Sequence, residues 1–191
     1  MAWTIAGERC AAGCSRRGPP LVWWLASPLA VLAACWLAGL RLNLTGSLPV
    51  GLYLMSRAAP VRGAIVLACL PRGVAAFAKE RGYVPPGGAC PSGVLPVGKP
   101  VLALPGDTVT VTPTGLLVNA APVPNSQPLT ADRKGRPLPR LAIGRYLVRP
   151  GALWVVSSYS RFSFDSRYFG AVETRQIRAS VRQLWTVGSD R

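Results

Sequence analysis

The hydrophobic pattern divides the chain into two parts. Twenty positions from Leu21 to Leu40, LVWWLASPLAVLAACWLAGL, carry no charge. At about 1.5 Å per residue, a helix of this length spans roughly 30 Å, one hydrocarbon core. Trp23 and Trp24 suit one membrane interface, Arg41 closes the other end, and Pro28 predicts a kink that a membrane helix tolerates. Arg9, Arg16 and Arg17 precede the run and favour a cytoplasmic N-terminus. The pattern therefore predicts a cytoplasmic tail over 1–20, a transmembrane anchor or signal over 21–40, and a periplasmic domain over 42–191. A cleaved secretory signal is one alternative, although the run is longer than the usual apolar region of such a signal. Lipidation is another. Leu32-Ala33-Ala34-Cys35 reads like a bacterial lipoprotein box, yet apolar residues continue past Cys35 where a polar tether is the norm.

After residue 50 the apolar runs become short and are bounded by Pro and Gly, as buried strands are. Leu52–Met55, Ala64–Ala68, Lys99–Leu104, Tyr146–Val148, Leu153–Val156 and Ser180–Val187 read as strands. Thr108–Thr112 and Leu116–Asn119 read as a hairpin about the turn Pro113-Thr114-Gly115. Pro71–Arg81 predicts one short helix closed by Gly82. Residues 85–98 read as loop, and residues 120–140, with five prolines and several charges, read as an exposed excursion. No repeat is visible. The fold class is mostly β: an N-terminal transmembrane helix followed by an antiparallel β domain.

Charge and composition narrow the chemistry. The net charge is +15, and only three of the 22 basic residues are lysine: Lys79, Lys99 and Lys134. Such a domain suits an anionic membrane surface or an acidic partner. Nucleic acid is not expected, because the arginines are scattered and no binding motif accompanies them. Histidine is absent, which excludes a Ser-His-Asp triad, a Cys-His dyad and any His-ligated metal site within this chain. A base built here would be a lysine able to lose its proton near neutral pH. Of the five cysteines, Cys69 and Cys90 fall in the part predicted to be exported. They predict a disulfide contributing about 3 kcal/mol in the chain-entropy account. Two buried thiols are the alternative.

Three stretches carry candidate chemistry. In Asn43-Leu44-Thr45-Gly46-Ser47-Leu48-Pro49-Val50-Gly51-Leu52-Tyr53, a small residue precedes Ser47 and a proline follows shortly after. A Gly-Ser pair before Pro is also an ordinary turn. Ser47 nevertheless lies seven residues past the apolar run, within reach of the juxtamembrane segment of a substrate in the same bilayer. Lys99 is flanked by Val94-Leu95-Pro96-Val97-Gly98 and Pro100-Val101-Leu102-Ala103-Leu104, eight residues before the acid of Leu104-Pro105-Gly106-Asp107. It is either a solvated strand residue or a partly buried amine whose lowered pKa makes it a general base. In Ser163-Phe164-Asp165-Ser166-Arg167-Tyr168-Phe169-Gly170, Asp165 and Arg167 are close enough for an internal ion pair. Ser163 could hydrogen-bond the Lys99 amine. The alternative there is a surface turn with an exposed pair contributing about 0–1 kcal/mol.

In this order the three stretches resemble the signal peptidase I superfamily, the Ser-Lys peptidases. The short Asn-x-Thr-x-Ser-x-Pro-x-Gly-x-Tyr box, the single span and the small size resemble its conjugative-transfer branch, the TraF-type peptidases. Leu48 stands where signal peptidase I usually has Met, and Pro100 where it usually has Arg, which sets the chain apart from general secretory enzymes. The resemblance implies a β peptidase domain of signal-peptidase type with no cofactor or metal. It implies Ser47 as nucleophile and Lys99 as base, with the Ser47 N–H and the Thr45 hydroxyl holding the oxyanion. Ser163 would orient Lys99, and Asp165 with Arg167 would shape the site. The implied substrate is a membrane-embedded conjugative pilin precursor or related exported protein, left linear or cyclised through an acyl-enzyme. A general leader peptidase and a non-catalytic, basic, membrane-anchored binding module of the transfer machinery are the competing readings.

Overall fold

A computed structural model of the chain describes residues 21–187, with side chains described from residue 28 onward. The expected tail over 1–20 lies outside the described residues. The chain divides into two units, residues 1–38 and residues 39–191. In the first, helix α1 (Leu21–Leu37) contains Pro28, and Cys35 is a free thiol within it. No helix among the described residues is long and apolar enough to cross a membrane. The helix ends at Leu37, short of the Leu40 that the apolar run predicts. Gly39 takes a φ of +86°, which a helix does not accommodate, and Leu40 already belongs to a strand.

The second unit is built on two antiparallel sheets. The larger contains β1 (Leu40–Asn43), β2 (Val50–Ser56), β3 (Ile65–Ala68), β4 (Val97–Ala103), β9 (Ala152–Val155), β10 (Val172–Glu173) and β11 (Ile177–Val187). Its spatial order is β1-β2-β11-β3-β4-β9-β10. The smaller contains β5 (Thr108–Val111), β6 (Leu116–Val118), β7 (Ala121–Pro122) and β8 (Gly144–Leu147), ordered β7-β6-β5-β8. The mostly β, antiparallel expectation holds. The expected hairpin is β5–β6, with Val109 opposite Val118 and Val111 opposite Leu116.

Alternation along these strands builds the core. Val109 and Val111 point inward with Leu116, Val118, Ala103, Trp154 and Val156, closing the small sheet over one end of the large one. Val66, Val101, Leu153, Val155 and Val172 form a second cluster. A third lies under helix α2 (Arg72–Glu80), where Ala75 and Ala78 are fully buried against Leu70, Val84 and Val94. Cys69 at the end of the β3 segment and Cys90 in the following loop form the expected disulfide, with Cα atoms 5.6 Å apart. Both cysteines are buried, and the bridge ties the proline- and glycine-rich loop back to the sheet.

The close approach of β11 to β2 explains a glycine in the serine stretch. A Cβ at Gly51 would lie 2.1 Å from the Trp185 carbonyl oxygen and 2.7 Å from Thr186 Cα, a clash of backbone on backbone. Residues 120–140 are not simply an exposed excursion. Ser126 is buried, with its hydroxyl bonded to Leu116 N and Val123 O, and Ala131 bridges Pro137. Tyr83 Oη donates to Asp132 at 2.6 Å, and Arg136 donates to Asp132 and to Arg81 O. These hydrogen bonds reach back across 49 and 55 residues of chain, and they fold the segment onto α2 as a wall.

Replacing Cys69 and Cys90 together by serine is expected to lower the unfolding free energy by about 3 kcal/mol. Urea denaturation of the oxidised wild type against the double variant measures it. Coincident transitions would show that the bridge adds nothing to stability.

Candidate active site

The turn between β1 and β2 is organised by Asn43. Its Oδ1 accepts from Thr45 N and from Thr45 Oγ1, the latter at 2.7 Å, and its Nδ2 donates to the carbonyls of Thr45, Leu48 and Pro49. Tyr53 Oη donates to Pro49 O at 2.7 Å, and Leu48 is buried beneath the turn. The spaced Asn, Thr, Pro, Gly and Tyr of the serine stretch are thus largely the framework of one turn. At its tip Ser47 is half-buried and faces a cavity of about 330 Å³.

Lys99 lines the same cavity. It lies on β4 in the same phase as Val101 and Ala103, so the pleat turns its side chain to the buried face, where it is only 4% exposed. Nζ donates to Ser163 Oγ at 2.7 Å. Among the described residues, the amine bonds to Ser163 and not to Ser47. Burial pushes the Lys99 amine down to about 8, with Arg167 adding to the fall and Asp165 opposing it. The solvated reading of this lysine is therefore wrong for this fold.

Ser163 is held by the residues that follow it. Phe164 enters an aromatic cluster, stacked on Tyr168 at 5.6 Å and against Tyr83 at 5.2 Å, Phe77 at 5.7 Å and Phe169 at 5.5 Å. Asp165 caps helix α3 (Ser166–Phe169) by accepting from Arg167 N. It also pairs with the Arg167 guanidinium at 2.8 Å, and both side chains are fully buried. The exposed-pair alternative is overturned, because every remaining polar site on the pair is used. Arg167 donates to the carbonyls of Asn125, Ser160, Arg161 and Ser163, and Asp165 Oδ2 accepts from Ser157 N.

Ser157 is a residue that sequence reasoning passed over. It is fully buried, and its hydroxyl donates to the Ser47 carbonyl while its N–H holds Asp165. It therefore joins the Ser47 turn to the buried ion pair. The available signal was its place immediately after the apolar strand Trp154-Val155-Val156, where a small hydroxyl enters the core. Thr45 stands apart. It is exposed, does not line the cavity, and its hydroxyl proton is engaged by Asn43. Asp107, the acid eight residues past Lys99, is structural. Burial would raise its carboxyl, but donors from Leu104 N, Asn119 and Arg62 outweigh burial and hold it below the usual range. Among the described residues no group of acids and cysteines is arranged to hold a metal.

A serine and a buried lysine amine thus line one cavity. The sequence profile of the signal peptidase family, peptidase S26, matches residues 24–186, and the chain belongs to that family. Within it, the chain is 43% identical over 159 residues to the plasmid transfer protein TraF of Escherichia coli, covering 83% of this chain and 89% of that one. It is 36% identical over 181 residues to a probable conjugal transfer protein TraF of Sinorhizobium fredii, covering 90% and 92%. The conjugal transfer protein TraF of Agrobacterium fabrum is 36% identical over 155 residues, covering 78% and 84%. A signal peptidase I from Enterococcus faecalis aligns in structure over 65% of this chain and 98% of its own, at 22% identity and a TM-score of 0.39.

Replacing Arg167 by glutamine strands the Asp165 charge in the core and is expected to cost about 3–5 kcal/mol. Replacing Arg167 by lysine should not restore it, because one ammonium cannot reach the same set of carbonyls. Chemical denaturation of the two variants tests this, and a cost below about 1 kcal/mol would mean that the pair does not hold the loop.

Proposed function

We propose that the protein is a membrane-anchored serine endopeptidase of the conjugative transfer apparatus, with Ser47 as nucleophile and Lys99 as general base. Its substrate in this reading is a pilin precursor or related exported protein. The observation that carries the reading is the Lys99 amine, buried on a strand, held by Ser163 and opening on the cavity that Ser47 faces. The names of the relatives support a role in conjugal transfer.

In the neutral amine, an N–H donated to Ser163 leaves the lone pair to accept the proton of Ser47 Oγ. Oγ then attacks the substrate carbonyl carbon. The Ser47 N–H, which bonds to no other described residue, takes the oxyanion. Thr45 would join it only after its hydroxyl turns away from Asn43. The C–N bond breaks as Lys99 returns its proton to the leaving amine, and an ester on Ser47 remains. Water resolves the ester to a linear product, or the substrate's own amino terminus resolves it to a ring. Ser163 positions the amine, and Ser157, through the Ser47 carbonyl, positions the turn. The apolar run that includes α1 would hold the enzyme in the inner membrane beside its substrate, with the β unit in the periplasm.

Intact mass of a co-expressed pilin precursor tests this reading. Wild type is expected to trim it, whereas Ser47→Ala and Lys99→Ala leave it full length. A product lighter by one water than the linear fragment would identify cyclisation. Processing by both variants would remove the dyad. Processing of leader-bearing exported proteins in general, with the pilin untouched, would favour the leader-peptidase reading.

The pH dependence has a definite sign. The base acts when neutral, so log kcat/KM should rise with unit slope below about pH 8 and level off above it. The unfolded lysine retains its proton to about 10.4. Folding stability should therefore climb between about pH 8 and 10, where the unfolded chain binds the extra proton. Lys99→Met should abolish that climb. A rate limb well above pH 9 in the wild type would show a solvated amine and defeat the proposal.

A further inference from the structure

The wall of the cavity carries charge that the chemistry described so far does not use. Besides Lys99, the charged residues lining it are Arg81, Asp132, Arg133, Lys134 and Arg136. Asp132 is the one carboxylate, and it is already saturated. It pairs with Arg136 at 2.7 Å and accepts from Tyr83 Oη and from the N–H groups of Lys134 and Arg136. Burial would raise the Asp132 carboxyl, but these donors more than offset it and hold it well below the usual carboxylate range. Arg81, Arg133 and Lys134 are left without a carboxylate partner among the described residues.

These cations are aimed rather than scattered. The Arg133 guanidinium lies over the Phe162 ring at 4.3 Å, and Arg81 lies over Phe77 at 4.7 Å with one weak bond to Pro137 O. A guanidinium stacked by its face keeps its N–H edge for a planar anion. The segment bearing Arg133 and Lys134 is fastened at both ends. Leu129 N donates to Tyr168 Oη, and Arg136 donates to Arg81 O. The floor beneath is apolar and aromatic, with Val84, Val97, Leu138 and Phe164. The cavity therefore offers a greasy floor under an uncompensated positive rim, at the place where a peptide would lie to present a bond to Ser47.

We propose that the cleft selects peptides carrying a carboxylate within a few residues of the bond presented to Ser47, with Arg81, Arg133 and Lys134 as its counter-ions. The proposal rests on reading the cleft as a peptide-cleaving site and names the class of peptide it takes. An acidic side chain and a free C-terminal carboxylate offer the same planar anion.

The test uses the full chain in neutral detergent. A matched peptide series carries Glu, Gln or Lys at each position flanking the scissile bond, and each peptide is made with a free or an amidated C-terminus. Binding to Ser47→Ala, read by fluorescence anisotropy, is measured beside kcat/KM for the wild type. Peptides bearing Glu or a free C-terminus should bind and turn over at least tenfold better than their Gln or amide counterparts, and that preference should shrink with salt. The arm that shows the preference identifies the source of the carboxylate. In Arg133→Glu/Lys134→Glu the preference should reverse towards the Lys peptide. A preference in binding with no cleavage of any peptide would keep this proposal and remove the peptidase reading. Equal handling of Glu, Gln and Lys peptides, with cleavage still abolished by Ser47→Ala, would overturn the proposal and keep the peptidase reading. Flotation with anionic and neutral vesicles completes the set. If Arg133→Gln/Lys134→Gln weakens binding to anionic vesicles and leaves peptide preference intact, the rim serves lipid and the proposal is wrong.

Discussion

The site depends on a charge pair that has no access to water. Asp165 and Arg167 are each fully buried, and such a pair is tolerated only when its remaining polar atoms are also satisfied. Here the partners that satisfy it are pieces of the site. Arg167 gathers the carbonyls of Ser160, Arg161 and Ser163, which fixes the loop that holds the lysine. It also reaches Asn125 O, which anchors the start of the cleft wall. Asp165 takes the N–H of Ser157, whose hydroxyl in turn holds the Ser47 carbonyl. Electrostatic neutrality in the core and geometric order in the cleft are thus satisfied by the same hydrogen bonds.

The pair also sets the chemistry of its neighbour. Desolvation is the largest influence at the Lys99 Nζ, and the two charges of the pair act against each other there. Removing either member would leave the other's charge buried and uncompensated beside the amine. The pairing lets a charged scaffold stand beside the buried Lys99 amine with its own charges compensated.

The parts legible in the sequence are those written in apolar residues. Short runs bounded by Pro and Gly predict β2, β3, β4, β9 and β11, and the Thr-rich hairpin emerges as β5–β6. Of the candidate residues, Lys99 bonds Ser163 and shares a cavity with Ser47, and Asp165 pairs with Arg167 beside them. What the sequence hides is polar and long-range. Residues 120–140 look solvated because their docking uses Tyr83, Arg81 and Tyr168, far away in the chain, and leaves no apolar signature. Ser157 meets Ser47 across 110 residues, which no local pattern announces. The Thr45 hydroxyl could be placed near the nucleophile from its position in the stretch, but its partner could not, and Asn43 takes it.

The strand order fixes when the Ser47 turn can join the rest of the large sheet. β2, which follows the Ser47 turn, reaches β3 and β4 only through β11, the last of the described strands in chain order. Gly51 records how tightly β11 must fit. Until that late segment has been made and has zipped in, the serine-bearing hairpin has no further neighbour in the large sheet. A chain whose last described strand is still unmade therefore cannot yet hold the Ser47 turn against the rest of the large sheet. The order of synthesis thereby sets the order in which the turn and its scaffold are joined.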